Sequence, residues 1–208
     1  MTTDQIKIII VDDHPVVLEG FSFMLQQMPD IFLKAKFADA ESAIAYIEEE
    51  VVDIVLLDIN LPDKNGIDAC LIIKKNHPTL HIIAISNINE YSIIQRMLDA
   101  GASGYLLKNA SAEELATCIE QVLKGQPGLS RDIRCILEQH DRGEIPVITR
   151  REKEVLTLLV AGRNSVEIGE IMFISPLTVE SHRRNLLQKF QVSNVASLVH
   201  KAMEMKFI

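Results

Sequence analysis

The sequence predicts an α/β domain with a doubly wound, five-stranded parallel sheet, followed by a small all-α domain of four helices. Three observations carry this. Five short apolar runs alternate with five amphipathic stretches up to residue 125. A stretch bounded by Gly125-Gln126-Pro127-Gly128 and Pro146 then breaks the rhythm. From Thr149 onward only helical periodicity remains.

The runs at residues 6–11, 32–37, 54–57, 81–85 and 104–107 are rich in Ile, Val, Leu and Phe. Runs that are apolar on both faces suit strands buried in a parallel sheet. The first helical stretch, residues 15–28, places Val17, Leu18, Phe21, Met24, Leu25 and Met28 three and four apart. Residues 40–50, 66–76, 90–100 and 112–123 repeat that spacing, and Ser111 with Glu114 forms a capping box for the last of them.

Residues 126–145 read as a linker holding one short helix at 132–139. The domains are then 1–125 and 146–208. In the second, Thr149 with Glu152 and Asn164 with Glu167 are capping boxes. Ser175-Pro176 supplies a cap and an N1 proline for a third helix to about Phe190, and Ser193 is expected to cap a fourth that runs towards Met205.

Composition narrows the function classes. With 48% apolar and 24% charged residues, the chain can bury a core. No apolar run reaches the 18 or so residues of a membrane span, so no membrane role is expected. The start, Met1-Thr2-Thr3-Asp4, lacks the basic region of a signal peptide. Cys70, Cys118 and Cys135 lie in or beside apolar stretches with no C-x-x-C pair, which predicts buried free thiols and a cytoplasmic location. Net charge is −8 and unevenly spread: residues 1–125 carry 9 Lys/Arg against 19 Asp/Glu, and residues 146–208 carry 9 against 6. An acidic front and a mildly basic back imply two modules with different partners.

The polar residues of the first domain fall at its strand ends. Asp12 and Asp13 follow the first strand, Asp58 the third, Ser86 the fourth and Lys108 the fifth. In a parallel sheet these ends meet at one edge, where ligands bind. Carboxylates crowded together repel, and a hard divalent ion with oxygen ligands offsets them; Mg²⁺ suits carboxylates plus phosphate oxygens. A carboxylate can act as nucleophile towards phosphorus, with the metal and Lys108 neutralising charge on the phosphoryl oxygens and Ser86 donating to one of them. Taken singly, each residue has a plainer role as a cap, loop or solvated residue. Their conjunction points to phosphoryl transfer.

The segment 8–13, the block Val55-Leu56-Leu57-Asp58-Ile59-Asn60-Leu61-Pro62 with Gly66, the pair Ile85-Ser86, and Gly101-Ala102-Ser103-Gly104-Tyr105-Leu106-Leu107-Lys108 resemble a bacterial response-regulator receiver of flavodoxin-like fold. The resemblance covers about residues 4–125. It implies Asp58 as phosphoacceptor, Asp12, Asp13, Asp58 and the backbone carbonyl of Asn60 as the metal site, and Ser86, Tyr105 and Lys108 as switch and phosphate contacts. Asn87 departs from the small residue usual after Ser86, which bears on access to the phosphoryl group and so on its lifetime. An aspartate-nucleophile phosphohydrolase, the enzyme alternative, usually wants a second aspartate where Asn60 stands, so no enzyme is expected.

Residues 164–172, a turn at Phe173-Ile174-Ser175, and residues 176–190 fit a helix-turn-helix. The segment Ile148-Thr149-Arg150-Arg151-Glu152-Lys153-Glu154-Val155-Leu156, the pair Glu167-Ile168, the run from Ile174 to Asn185, and Lys189 resemble a LuxR-type DNA-binding domain. Together the halves resemble the NarL/FixJ subfamily of response regulators. This implies a transcriptional regulator switched by phosphorylation of Asp58 by a sensor histidine kinase. It implies double-stranded DNA at Val179, His182, Arg183 and Lys189, beside Thr178 and Arg184, which the helix pattern itself offers as outward residues, Arg184 towards phosphates. It also implies a homodimer through the last helix at Leu198, Val199 and Ala202. Glu180, where many relatives have lysine, and Val195, where arginine is common, lower the positive charge and predict modest, salt-sensitive affinity.

Overall fold

The computed structural model describes residues 5–142, 146–205 and 207–208. The first four residues, read above for a signal peptide, and the end of the expected linker at 143–145 lie outside the described residues. The chain divides into two compact units, Met1–Leu137 and Glu138–Ile208.

The first unit alternates strand and helix: β1 (Ile6–Val11), α1 (Pro15–Gln26), β2 (Ile31–Phe37), α2 (Ala40–Glu49), β3 (Ile54–Asp58), α3 (Gly66–Asn76), β4 (His81–Ser86), α4 (Tyr91–Asp99), β5 (Gly104–Leu107), α5 (Ala112–Leu123) and β6 (Gly128–Leu129). The strands are parallel in the order β2-β1-β3-β4-β5-β6. Side chains alternate across the sheet. Ile8, Ile10, Ile54, Leu56, Ile83 and Ile85 pack with Phe21, Leu25, Leu115 and Ile119 of α1 and α5. Ile9, Val11, Val55, Leu57, Ile82 and Ala84 pack on the other face with Ala43, Ile47, Cys70, Ile73 and Ile94. Both faces are covered, which explains why every strand residue from Ile54 to Asp58 is buried.

Two expectations need correction here. The sheet has six strands, not five, and the stretch read as a linker begins as part of this unit. β6 pairs with β5. Helix α6 (Arg131–Asp141) buries Ile133 and packs Ile136 and Leu137 against the α2–α4 side. The sixth strand exists because two glycines let backbones approach closely. A Cβ on Gly104 would lie 2.4 Å from the Gly128 carbonyl oxygen, and one on Gly128 would lie 2.6 Å from Cys118 Sγ.

The second unit holds α7 (Arg150–Val160), α8 (Ser165–Met172), α9 (Pro176–Lys189) and α10 (Val195–Glu204) around a core of Val155, Leu156, Leu159, Ile168, Val179, Leu186, Phe190, Leu198 and Ala202. The capping boxes at Thr149 and Asn164 and the Ser175 cap form as expected. Asn194, not Ser193, caps α10, with its side chain accepting from the Ser197 amide. Cys70 and Cys118 are buried thiols pushed up to about 12 by burial. Cys135 is exposed on α6, contrary to the expectation for all three. Among the described residues, no helix is long and apolar enough to cross a membrane.

Candidate phosphoacceptor site and nucleic-acid interface

β1 and β3 are neighbours in the sheet, and the chain leaves them towards opposite faces. A crevice therefore opens beyond their carboxyl ends. Asp12 stands just past β1 and Asp58 closes β3, both fully buried. Lys108, one residue past β5, places Nζ 2.8 Å from Asp58 Oδ2 and 2.8 Å from Asp12 Oδ2. The Asp58 contact is a true hydrogen bond, whereas Asp12 Oδ2 meets the ammonium off-angle. Burial by itself pulls the Lys108 ammonium down, but the two carboxylates against it, Asp12 and Asp58, outweigh that and the net shift is upward. Lys108 is thus held cationic between two acids.

The remaining oxygen of Asp58, Oδ1, is buried with no hydrogen-bond partner. A buried acceptor left unpaired is costly and marks a place where something else binds. The backbone beneath it is held by close packing. A Cβ on Gly66 would lie 2.1 Å from the Asp58 carbonyl oxygen, so only glycine lets α3 begin there. The Gly66 amide donates to the Ile59 carbonyl at 2.8 Å. Asn60 pairs with Asn65 in an isolated antiparallel bridge, and Asn65 caps α3.

Asp12, Asp13, Asp58 and His14 each offer one ligand atom, all within 4.8 Å of one another. The three aspartates are brought together as expected. His14 was not singled out in the sequence, although its place directly after Asp12-Asp13 at a strand end was the available signal. The donor set fits a hard divalent ion, since it is rich in carboxylate and includes the orphaned Asp58 oxygen.

Ser86 and Tyr105 converge on one stretch of backbone. Ser86 is fully buried, and its Oγ accepts from the Ile88 amide at 3.1 Å. Tyr105 is also buried, and its hydroxyl donates to the Ile88 carbonyl at 2.8 Å. Burial pushes the Tyr105 phenol up to about 12. Both side chains therefore grip the segment between β4 and α4.

In the second unit the turn between α8 and α9 closes on Gly169, where a Cβ would lie 2.8 Å from the Ile174 carbonyl oxygen. Phe173 ends α8 in the left-handed region at φ 55°. Helix α9 turns Val179, Leu186 and Phe190 inward, and all three are buried. Val179 therefore packs in the domain core and is not available to DNA, which corrects its expected role. The outward face carries Thr178, Ser181, Arg184, Asn185 and Gln188, all exposed. His182 and Arg183 are half-buried. Arg183 Nη1 donates to Glu180 Oε1 at 2.6 Å and to Ser165 Oγ at 2.5 Å, while Ser165 donates to Glu180. Lys189 Nζ lies 2.7 Å from Glu152 Oε2, a buried carboxylate. Arg183 and Lys189 thus have internal anions, and of the three expected basic contacts Arg184 is the one left facing outward. Leu198 and Ala202 are fully buried, so they hold α10 to its own domain; only the half-buried Val199 of the expected dimer residues reaches the surface.

Residues 8–120 match the response regulator receiver domain family, and residues 146–202 match the family of bacterial regulatory proteins described as luxR. The transcriptional regulatory protein MctR of Rhizobium johnstonii is 31% identical over 202 residues, covering 96% of this chain and 94% of that protein. A solved structure of RcsB from Salmonella enterica serovar Typhimurium, bound to promoter rprA in the presence of phosphomimetic BeF₃⁻, aligns with TM-score 0.66 at 26% identity, covering 95% of this chain and 98% of that one. A structure of two RcsB dimers bound to two parallel DNAs aligns with TM-score 0.67 at 27% identity, covering 96% and 98%. The chain belongs to the response regulators that join a receiver domain to a LuxR-family regulatory domain.

Proposed function

We propose that Asp58 accepts a phosphoryl group from a partner sensor histidine kinase, and that this controls binding of double-stranded DNA by α9. The observation that carries this reading is the pairing at Asp58: Oδ2 is held by Lys108 while Oδ1 is buried and unpartnered. That oxygen attacks phosphorus, the nitrogen–phosphorus bond of a phosphohistidine breaks, and the imidazole leaves with a proton, giving an acyl phosphate on Asp58. Lys108 faces the phosphoryl oxygens as a fixed cation, and Ser86 Oγ donates to one of them.

Asp12, Asp13, Asp58 and the backbone carbonyl of Asn60 would hold Mg²⁺. When bound, the ion supplies positive charge against three carboxylates and the phosphoryl oxygens. Drawing Ser86 towards the phosphoryl group removes one of the two grips on Ile88 and frees Tyr105 to move with it. The output is a homodimer on paired half-sites. Thr178, Ser181, Arg184 and Gln188 face the DNA, and the outer side of α10 at Val199 and Met203 meets the second copy. The structures of RcsB on DNA support this reading. A kinase partner, a DNA target and two buried free thiols support a cytoplasmic location.

Mass spectrometry after incubation with a small phosphodonor and Mg²⁺ tests the site. Wild type gains one phosphoryl group and Asp58→Asn gains none; equal gain at an equal rate in the variant overturns the assignment.

A further inference from the structure

We infer that His14 adds a nitrogen ligand to the acidic pocket, so that the site holds a first-row divalent transition ion such as Mn²⁺ in a way it does not hold Mg²⁺. The inference rests on the metal reading above and goes further, because the receiver resemblance implied only oxygen ligands here.

Three observations converge. His14 Nδ1 lies 2.7 Å from Asp13 Oδ1 and 3.1 Å from Asp12 Oδ1. An octahedral ion with ligands about 2.1 Å away sets neighbouring ligand atoms about 3 Å apart and opposite ones about 4.2 Å apart. The first two spacings already match neighbouring positions, and the 4.8 Å limit of the whole cluster is a small closure from the second. The backbone reinforces the arrangement, since the His14 amide donates to Asp12 Oδ1 at 2.9 Å and ties ring and carboxylate to one turn.

Among the described residues, the polar contacts of the His14 ring are those to Asp12 and Asp13, inside the cluster itself. His14 occupies the N-cap position of α1, where Ser, Thr, Asp or Asn would accept an amide hydrogen bond, yet its side chain makes no cap bond. Its side chain is 61% exposed, so packing does not account for it either. Nδ1 sits in a cluster that already contains the unpartnered Asp58 Oδ1, and an ion bound there would take the Nδ1 lone pair in place of the hydrogen bond to Asp12. First-row transition ions accept imidazole, Mn²⁺ the most weakly of them, whereas Mg²⁺ prefers oxygen and keeps its waters. The oxygen ligands alone serve either ion; the nitrogen discriminates.

The full chain loaded with Mn²⁺, examined by pulsed electron paramagnetic resonance, tests this, with binding of Mn²⁺ and Mg²⁺ measured by calorimetry. Wild type should show nitrogen coupling to the bound ion. His14→Ala and His14→Gln should both lose that coupling and weaken Mn²⁺ about tenfold or more, while Mg²⁺ affinity changes by less than about threefold. Circular dichroism confirms that each variant is folded. If Mn²⁺ binds wild type, is lost in Asp58→Asn and shows no nitrogen coupling, the acidic site stands and the role of His14 is overturned. Coupling that persists in both His14 variants overturns it too. Failure of both ions to bind removes the metal reading together with the inference.

Discussion

At the scale of single residues, chemistry and folding meet on Lys108 and Gly66. Lys108 is 7% exposed and sits between two buried carboxylates. Lys108→Met leaves Asp12 and Asp58 facing one another uncompensated. We expect a loss of about 3 kcal/mol in urea unfolding without added metal, partly regained with Mg²⁺ because the ion binds only the folded state. Equal stability of variant and wild type in metal-free buffer would show that the ammonium does not offset the pair. Gly66→Ala is the steric counterpart. Its Cβ would meet the Asp58 carbonyl oxygen at 2.1 Å, so α3 or the β3 end must shift. The expected cost is about 1–3 kcal/mol, with slower phosphorylation as Asp58 moves, measured by denaturation and by phosphoryl uptake. The carboxylates and Lys108 were legible in the sequence because parallel strands must end at a common edge, so residues next in the chain become neighbours in space. His14 was not, because its contribution lies in where Nδ1 points, and spacing along the chain does not encode that.

At the scale of elements, α9 separates what periodicity decides from what resemblance suggests. Val179, Leu186 and Phe190 lie on one helical face, and that face is the core. Arg184 and Ser181 lie opposite. Two substitutions should therefore behave oppositely. Val179→Ala should cost about 2 kcal/mol of stability through the cavity it leaves and retain sequence preference in the folded fraction. Arg184→Ala should keep its Tm, weaken DNA binding several-fold and lower the salt slope by about one counterion, as read by fluorescence anisotropy across salt concentrations. A normal salt slope in Arg184→Ala would move the interface off this face. The charge pattern of α9 looked uniformly outward in the sequence because Arg183 and Lys189 carry no mark of their partners. Their anions, Glu180 and Glu152, are 3 and 37 residues away. β6 escaped notice for a related reason. It is two residues long beside Pro127, which resembles a linker until Gly104 and Gly128 are seen to let the backbones touch.

At the scale of the whole molecule, the two units should answer differently to acid, and the chain carries its own reporters. It has no Trp, and its three tyrosines, Tyr46, Tyr91 and Tyr105, all belong to the first unit. Tyrosine signals thus follow that unit alone, whereas far-ultraviolet circular dichroism follows both. In the second unit Glu152 accepts from the Thr149 amide at 2.7 Å and pairs with Lys189, joining the start of α7 to the end of α9. Burial by itself raises the Glu152 carboxyl, but Lys189 and the hydrogen bonds at Thr149 outweigh it, so the net shift is below the ordinary 4.5. A carboxyl depressed in the folded state contributes its stability in full above its unfolded value and loses it as pH falls through the folded one. Urea midpoints of the helical signal should therefore hold above pH 5 and decline below about 4.5. In Glu152→Gln the plateau should be lower and the decline below it shallower, since the titrating partner is gone while Lys189 is left without its anion. The tyrosine-reported midpoint should be the same in variant and wild type at every pH. If it moves with the helical signal, the two units unfold as one cooperative body, and the division at Leu137 has no thermodynamic counterpart.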